Sequence, residues 1–532
     1  MTARPAWLVA ILAAVVACGS PPPSPTTVVL PSSTAEPVAS SVAADPSTTD
    51  GIDQAAAFAA VPCPDAVTIV MVVTPSCGVL TVEQRRADPA GPEIRVFVVR
   101  IDPPSLEQPD PMVVVGTSLG ARMAHGEVVQ VARRTGRVTF LVDQRGSGLS
   151  EPALDCPGLV RLQHEVIGRA SLDPAAIDRL AEAARECRGA LIGQGIDPTA
   201  FDLAESALDI RDLRSVLGID TWNVIAFGTA SRLALEVAHA DPDGVRTLVL
   251  DSPVTSGTDD PVAGIAATGH ALDELTAACA ADVDCAAALP DLEASLAAAI
   301  ASLDADPMSV PAGAQGPAAV IDGGRFARAV RAVLGLQGGL RIASITSALD
   351  SIEQGAFGPD HPIVDEIQAS TELCFGRLPD CPRLEIGLVL TMACRDVLPF
   401  VGPPPEPGTA AGLGRAFVLD DWTAVCDAWS VPAADREAGL GARGLPDKPV
   451  LLLNGQFDPF TGPLDRAVLR PAPGMGLALE VPNQSYNAFG YNECPRQVRR
   501  AWLDDPTTRA LDLGCFDAEI APIQVWSPPS SS

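Results

Sequence analysis

Short, unbroken apolar runs recur along the chain: Val67–Val73, Ile94–Ile101, Met112–Val115, Val138–Val142, Trp222–Ala226, Val245–Leu250 and Pro449–Leu453. Several lack the alternation of a half-exposed strand and fit strands buried on both faces of a parallel sheet. Between them, Arg122–Arg134, Leu203–Leu217 and Arg232–His239 carry apolar residues at helical spacing. Strands alternating with helices predict an α/β domain. From about 256 to 390 the texture changes to Ala- and Leu-rich stretches of helical period, Leu272–Ala281, Leu292–Leu303, Phe326–Leu336 and Ile342–Ile352. No run there reads as a strand, so a helical cap inserted between strands of one sheet is expected. The predicted layout is a core over 61–255, a cap over 256–390, core again over 391–518 and a flexible tail over 519–532.

The first 60 residues stand outside this pattern. Arg4 precedes a short apolar run from Trp7 to Ala17, and Val15-Val-Ala-Cys18 follows. That run is too short to span a bilayer and reads as a signal peptide over 1–17. A cysteine in the position after the cut, followed by Gly and Ser, resembles the bacterial lipoprotein lipobox. The resemblance implies a diacylated Cys18 at the mature N-terminus, and two or more acyl chains give a stable anchor. Residues 18–60, rich in Pro, Ser, Thr, Val and Ala, then read as a tether. The expected location is the extracytoplasmic face of the cell membrane, with the membrane itself as a partner through the lipid.

Charge narrows the partners. With 36 basic against 66 acidic residues, the net charge is −30. A nucleic-acid partner is excluded on this basis, because phosphate backbones are bound by clustered Lys and Arg. A mean hydropathy of +0.23 excludes wholesale disorder. Of 13 cysteines, setting Cys18 aside leaves twelve, the even number that a disulfide framework predicts in an exported chain. Order along the chain suggests local pairs, Cys63–Cys77, Cys156–Cys187, Cys279–Cys285, Cys374–Cys381, Cys394–Cys426 and Cys494–Cys515, although sequence alone does not fix connectivity. No CxxC occurs and the five histidines do not cluster near cysteine, so no metal site and no cofactor is expected.

Four segments, in order, carry a family resemblance. Asp143-Gln-Arg-Gly-Ser-Gly-Leu-Ser150 followed by Cys156 resembles the DQRGxGxS…C segment of the tripeptidyl-aminopeptidase-like α/β-hydrolases, in the proline-iminopeptidase clan of serine peptidases. Asp209-Ile-Arg-Asp-Leu-Arg-Ser-Val-Leu-Gly218, running through Trp222-Asn-Val-Ile to Leu248-Val-Leu-Asp251, resembles that family's helix–strand–elbow–helix–strand block. Leu453-Asn-Gly-Gln-Phe-Asp458-Pro-Phe-Thr461 resembles its strand bearing the catalytic acid. Cys426-Asp-Ala-Trp429 and the Cys494…Cys515 tail match its C-terminal region. The resemblance covers roughly 61–518 and implies an α/β-hydrolase fold, a mostly parallel sheet flanked by helices, with the helical insert as its cap.

It also implies a triad that this chain does not keep. The family places Ser at a GxSxG strand-to-helix elbow, activated by His and an acid. Aligned on Arg232-Leu-Ala-Leu-Glu236, the elbow is Ala226-Phe-Gly228-Thr-Ala230, so the nucleophile position is Gly228. Alanine in place of both flanking glycines suggests that the turn has relaxed. The fold orders its triad Ser…Asp…His, yet His125, His164, His239, His270 and His361 all precede the acid position, Asp458. The base segment corresponds best to Pro482-Asn-Gln-Ser485-Tyr486-Asn487, which puts Tyr486 at the base position. Tyrosine, with a pKa near 10, is a poor base at neutral pH.

Upstream, Gly116-Thr117-Ser118-Leu-Gly120 satisfies GxSxG after an apolar strand, which makes Ser118 a rival nucleophile. It precedes the DQRG-like segment, however, where the family has its oxyanion loop, so Gly116 and Thr117 read as loop positions. Asp458 itself has two readings, a turn element of the common Asp-Pro kind or a retained acid needing hydrogen-bond partners from backbone amides or the Tyr486 hydroxyl. Thr229 and Ser231 read as helix-start residues. The expectation is a peptidase-like hydrolase fold that is non-catalytic, binding a peptide, a small apolar ligand or an envelope protein. The rival is an active serine hydrolase using Ser118.

Overall fold

The structure, a computed structural model, describes residues 56–68, 75–116, 132–169, 173–253, 261–312, 318–337, 342–355, 385–400, 420–434, 444–461, 475–486, 493–508 and 511–516, with 357, 361, 363, 364, 367 and 471 besides. Eleven strands are formed among these residues: β1 (Ala57–Val61), β2 (Ser76–Glu83), β3 (Glu93–Ile101), β4 (Met112–Gly116), β5 (Thr139–Asp143), β6 (Trp222–Phe227), β7 (Val245–Asp251), β8 (Met308–Val310), β9 (Ala319–Ile321), β10 (Val450–Gly455) and β11 (Gly476–Val481). Nine make one sheet in the order β1-β2-β3-β5-β4-β6-β7-β10-β11. Neighbours from β5 to β11 are parallel. The joins β1–β2, β2–β3 and β3–β5 are antiparallel. This mostly parallel, helix-flanked sheet is the α/β-hydrolase fold that the resemblance implied.

Parallel neighbours need crossover segments, and helices supply them. Before β6 come α1 (Pro157–Val166), α2 (Pro174–Gly193) and α3 (Leu203–Val216); α4 (Ser231–Ala240) joins β6 to β7. Asp173 caps α2, its side chain accepting from Ala175 N with Pro174 in the first turn, and Asp202 caps α3 through Glu205 N. Side-chain alternation along each strand then divides the core. Val113 and Val115 of β4, Val224 of β6 and Leu248 and Leu250 of β7 pack with Ile210 and Leu213 of α3 and Leu233 and Val237 of α4. Val114, Ile225, Val249, Leu451 and Leu453 face the other side with Val498 and Trp502 of the C-terminal helix, Glu493–Asp504.

Between β7 and β10 the cap builds a core of its own. Its described helices are α5 (Pro261–Ala281), α6 (Val283–Ala288), α7 (Leu292–Ala305), α8 (Gly323–Gln337) and α9 (Ile342–Glu353), which bury Leu275, Leu296, Phe326, Leu334 and Ile345 together. The expectation that this region lacks strands is corrected: β8 and β9 pair antiparallel within it. Only three residues long each, they are too short to stand out in an Ala- and Leu-rich context. The main core resumes before 391, since Ile386, Leu388 and Leu390 of α10 (Ile386–Met392) pack in it beside Trp429 of α11 (Asp420–Trp429).

Three further strand expectations need correction. Val67–Val73 does not begin as a strand, because Asp65–Thr68 is a short helix; residues 69–74 lie outside the described residues. β1, within the stretch assigned to the tether, extends the sheet, with Val61 paired to Cys77. β2 and β11 were not anticipated; β11 is an edge strand whose residues are mostly only half-buried, so its apolar signal is weak. Five of the six expected disulfides are present: Cys63–Cys77, Cys156–Cys187, Cys279–Cys285, Cys394–Cys426 and Cys494–Cys515. Cys374 and Cys381 lie outside the described residues, as do Cys18 and the whole signal and tether up to residue 55. Among the described residues no helix is long and apolar enough to cross a membrane.

Candidate functional site

The family-like motifs first resolve into scaffold. Arg145 of the DQRG-like turn is fully buried, with Nε and Nη2 donating to Asp209 at 2.7 and 2.6 Å and Nη1 donating to the carbonyls of Gln84 and Ala200. Asp209 opens the Asp-Ile-Arg-Asp segment on α3, so two of the motifs recognised in sequence are partners of one another. Arg86 adds a second guanidinium, bonded to Glu205, Asp209 and Asp212. Asp143 closes the same turn by accepting from Leu149 N at 2.8 Å, and Gly148 (φ +61°) has no room for a side chain against that carboxylate.

Where β6 meets α4, the elbow persists. Gly228 follows β6 directly with φ +54°, in the left-handed region that an elbow demands, and Gly228–Ala230 form a 3-10 turn into α4. The expected relaxation of this turn, read from Ala226 and Ala230, is therefore corrected: both alanines are buried without displacing the left-handed glycine between them. Thr229 next to it is exposed, whereas Ser231 is fully buried, its hydroxyl without a hydrogen-bond partner. Gly116, which the resemblance puts in the oxyanion loop, ends β4, and among the described residues nothing lies within 4 Å of where its Cβ would be. Thr117, the rival nucleophile Ser118 and His125 lie outside the described residues.

Tyr486 reaches into the space beside Gly228, the position at which the resemblance would put a nucleophile. A Cβ built on Gly228 would overlap the Tyr486 hydroxyl and lie 2.7 Å from its Cζ. The two departures from the family pattern are thus one event in space: a residue without a side chain at 228, and a long phenol from the base position reaching into the vacated volume. The Tyr486 ring packs edge-on against Phe460, with centroids 5.2 Å apart. Burial raises the phenol's pKa above its ordinary value, and the carboxylates of Asp458 and Asp251 raise it further. Tyr486 is held as a neutral phenol at neutral pH.

Asp458, where the resemblance puts the acid, lies in the loop just after β10 and is 1% exposed. Its Oδ1 accepts from Phe460 N at 2.8 Å and Thr461 N at 3.1 Å, and its Oδ2 accepts from the Thr461 hydroxyl at 2.8 Å. Of the two kinds of partner anticipated for it, backbone amides are the ones present. Burial raises its pKa, opposed by these bonds and by the Ser252 hydroxyl. Ser252 also donates to Asp251 Oδ1 at 3.1 Å and sits at φ +47°, a strained backbone for a residue with a side chain, at the carboxyl edge of the sheet. Sequence reasoning passed over Asp251 and Ser252 as the end of a strand, and Arg331 as a cap residue. The guanidinium of Arg331 lies 4.6 Å from the centre of the Phe460 ring and is acted on by the charge of Asp458.

Among the described residues a hydrogen bond joins one serine to one histidine, Ser347 and His361 in the cap, with Oγ and Nε2 3.1 Å apart. His361 Nδ1 accepts from Ile363 N, so in the neutral ring Nε2 carries the proton and donates to the serine. A histidine that donates to its serine cannot take that serine's proton, and this pair is structural. His239 meets the Gly444 carbonyl at 3.1 Å, away from the elbow helix's N-terminus. Among the described residues no cluster of three His, Cys, Asp or Glu could hold a metal ion.

Comparison with known proteins bears on this site. Residues 415–515, which include Asp458 and Tyr486, match the family model described as TAP-like protein. No curated protein sequence matches the chain significantly. Similar solved structures include the proline iminopeptidase of Mycobacterium smegmatis, 16% identical over 78% of this chain and 96% of that one, with a TM-score of 0.32. Epoxide hydrolase A from Mycobacterium thermoresistibile is 17% identical over 79% and 96%, TM-score 0.32. A thermophilic esterase from Thermogutta terrifontis is 13% identical over 78% and 95%, TM-score 0.32.

Proposed function

We infer, for a chain that belongs to the TAP-like α/β-hydrolases, a non-catalytic role exercised by binding. The observation that carries this reading is the Tyr486 side chain standing in the volume of the nucleophile at Gly228. Loss of the serine and histidine of such a triad costs on the order of 10⁶ in turnover. Tyr486 offers no substitute, because a phenol held neutral beside two carboxylates is neither nucleophile nor base. The exposed Thr229 leaves the elbow's edge accessible, which favours occupancy by a peptide or a small apolar ligand, or contact with another envelope protein. In this reading Cys18 carries the lipid that holds the protein on the extracytoplasmic face of the cell membrane.

The test uses the full-length, membrane-isolated protein. It should hydrolyse neither aminoacyl nor tripeptidyl arylamides and should not be labelled by a fluorophosphonate. Stoichiometric labelling that disappears in Ser118→Ala would overturn the reading and make the Gly116–Gly120 turn the working elbow. For the anchor, intact-mass measurement should find acyl groups on Cys18, and Cys18→Ala should release the protein or block its processing. Unlipidated mature protein in the wild type would refute the anchor.

A further inference from the structure

The acid loop after β10 makes a continuous set of contacts with the cap. Gln456 Nε2 donates to Glu274 Oε2 of α5 at 3.0 Å. Phe457 is fully buried in the cap's core rather than the sheet's, packing in the cap cluster with Leu275 and Leu334. The Pro459 carbonyl accepts from the Thr268 hydroxyl of α5 at 3.1 Å and from Arg331 Nε of α8 at 3.2 Å. Phe460 lies beneath the Arg331 guanidinium and against Gly335, where a side chain would collide with its ring. Ser485, next to Tyr486, places its hydroxyl between the carbonyls of Phe457 and Leu334, so the base segment joins the same contact.

We propose that this loop is the latch that holds the cap on the sheet, with Arg331 supplying at Asp458 the positive charge that a triad histidine would otherwise bring. A buried carboxylate without a cationic neighbour is costly, and the chain has no histidine beyond Asp458 to provide one. Arg331 comes from the opposite side of the interface. Burial pushes its pKa down to about 10, with Asp458 acting in the other direction, so it stays protonated at neutral pH. The latch is independent of whether the chain hydrolyses anything: it assigns the retained acid a mechanical role between two separately packed cores.

Hydrogen exchange on the full chain, read by mass spectrometry, tests this. Arg331→Met and Thr268→Val should each speed exchange about tenfold in α5, α8 and residues 455–461, a factor that corresponds to ~1.4 kcal/mol, while β4, β6 and β7 keep wild-type rates. Arg331→Lys should restore most of the protection. Adding Asp458→Asn to Arg331→Met should also restore it, since the stranded carboxylate is then gone. Unchanged cap exchange in both single variants overturns the latch, as does opening of the core strands in step with the cap. Should Arg331→Met fail to fold, Thr268→Val decides by the same two outcomes.

Discussion

The Tyr486 hydroxyl occupies the volume into which a side chain on Gly228 would project. Residue 228 can therefore be refilled only if 486 is emptied. Gly228→Ser in the otherwise unchanged chain forces a side chain both onto a left-handed residue and into the phenol, and overpacking of this kind typically costs about 1–3 kcal/mol. Combined with Tyr486→His, the serine should cost distinctly less. Denaturant midpoints of the four proteins in this cycle give the coupling, expected at about 1–2 kcal/mol. Simple additivity would mean that the two side chains do not compete for the same space.

Arg145 and Asp209 should behave as a unit. Both are buried and bonded twice: Asp209→Asn leaves the Arg145 guanidinium with only the Glu205 carboxylate 3.6 Å away and should destabilise by about 3–5 kcal/mol, whereas Arg145→Met leaves Asp209 paired with Arg86 and should cost less. Removing both together should cost less than the sum of the two. Thermal unfolding of the two single variants and the double variant measures this.

A pH dependence should arise away from the acid loop. Asp396 lies beside Arg395, Asp202, Arg232 and Glu236, three carboxyls against two guanidiniums, and its Oδ2 is buried without a hydrogen-bond partner. Burial pushes its pKa up to about 7 from an unfolded value of 3.8. Between those values the folded chain binds the extra proton, so this group's contribution to stability falls as pH rises from about 4 to about 7, then levels off. In Asp396→Asn that decline should shrink. Urea unfolding of wild type and variant at a series of pH values checks the sign, and an identical slope in both would contradict it.

Peptide mapping without reduction should recover the five bridges, Cys63–Cys77, Cys156–Cys187, Cys279–Cys285, Cys394–Cys426 and Cys494–Cys515. Any crossed pairing among these ten cysteines would contradict the described geometry.

The strands that sequence reading found are those whose neighbours bury both faces. β4, β6, β7 and β10 lie in the middle of the sheet and announce themselves as uninterrupted apolar runs. β1 and β11 close its two edges, where half of each strand faces solvent and the run is diluted. Helix α2 was legible and passed over, for Asp173-Pro174 is a capping pair at the head of a twenty-residue helix. At the site, the glycine at 228 and the lack of a histidine after Asp458 could be read from order along the chain. The contact between positions 228 and 486 could not, because the fit of Tyr486 to Gly228 is a matter of volume between residues more than 250 apart. Arg331 was invisible for the same reason: one arginine among many in a helical stretch, given meaning only by the loop it faces.

The five described bridges close loops of 6, 14, 21, 31 and 32 residues, and each joins a cysteine to the next one along the described chain. A polypeptide emerging from a pore N-terminus first would expose both halves of every bridge within moments of each other. Oxidation can then proceed pair by pair in the order of emergence, without waiting for the distant C-terminus and with little competition from a wrong partner. Neighbour-to-neighbour pairing of this kind calls for an oxidant more than for an isomerase to correct mistakes.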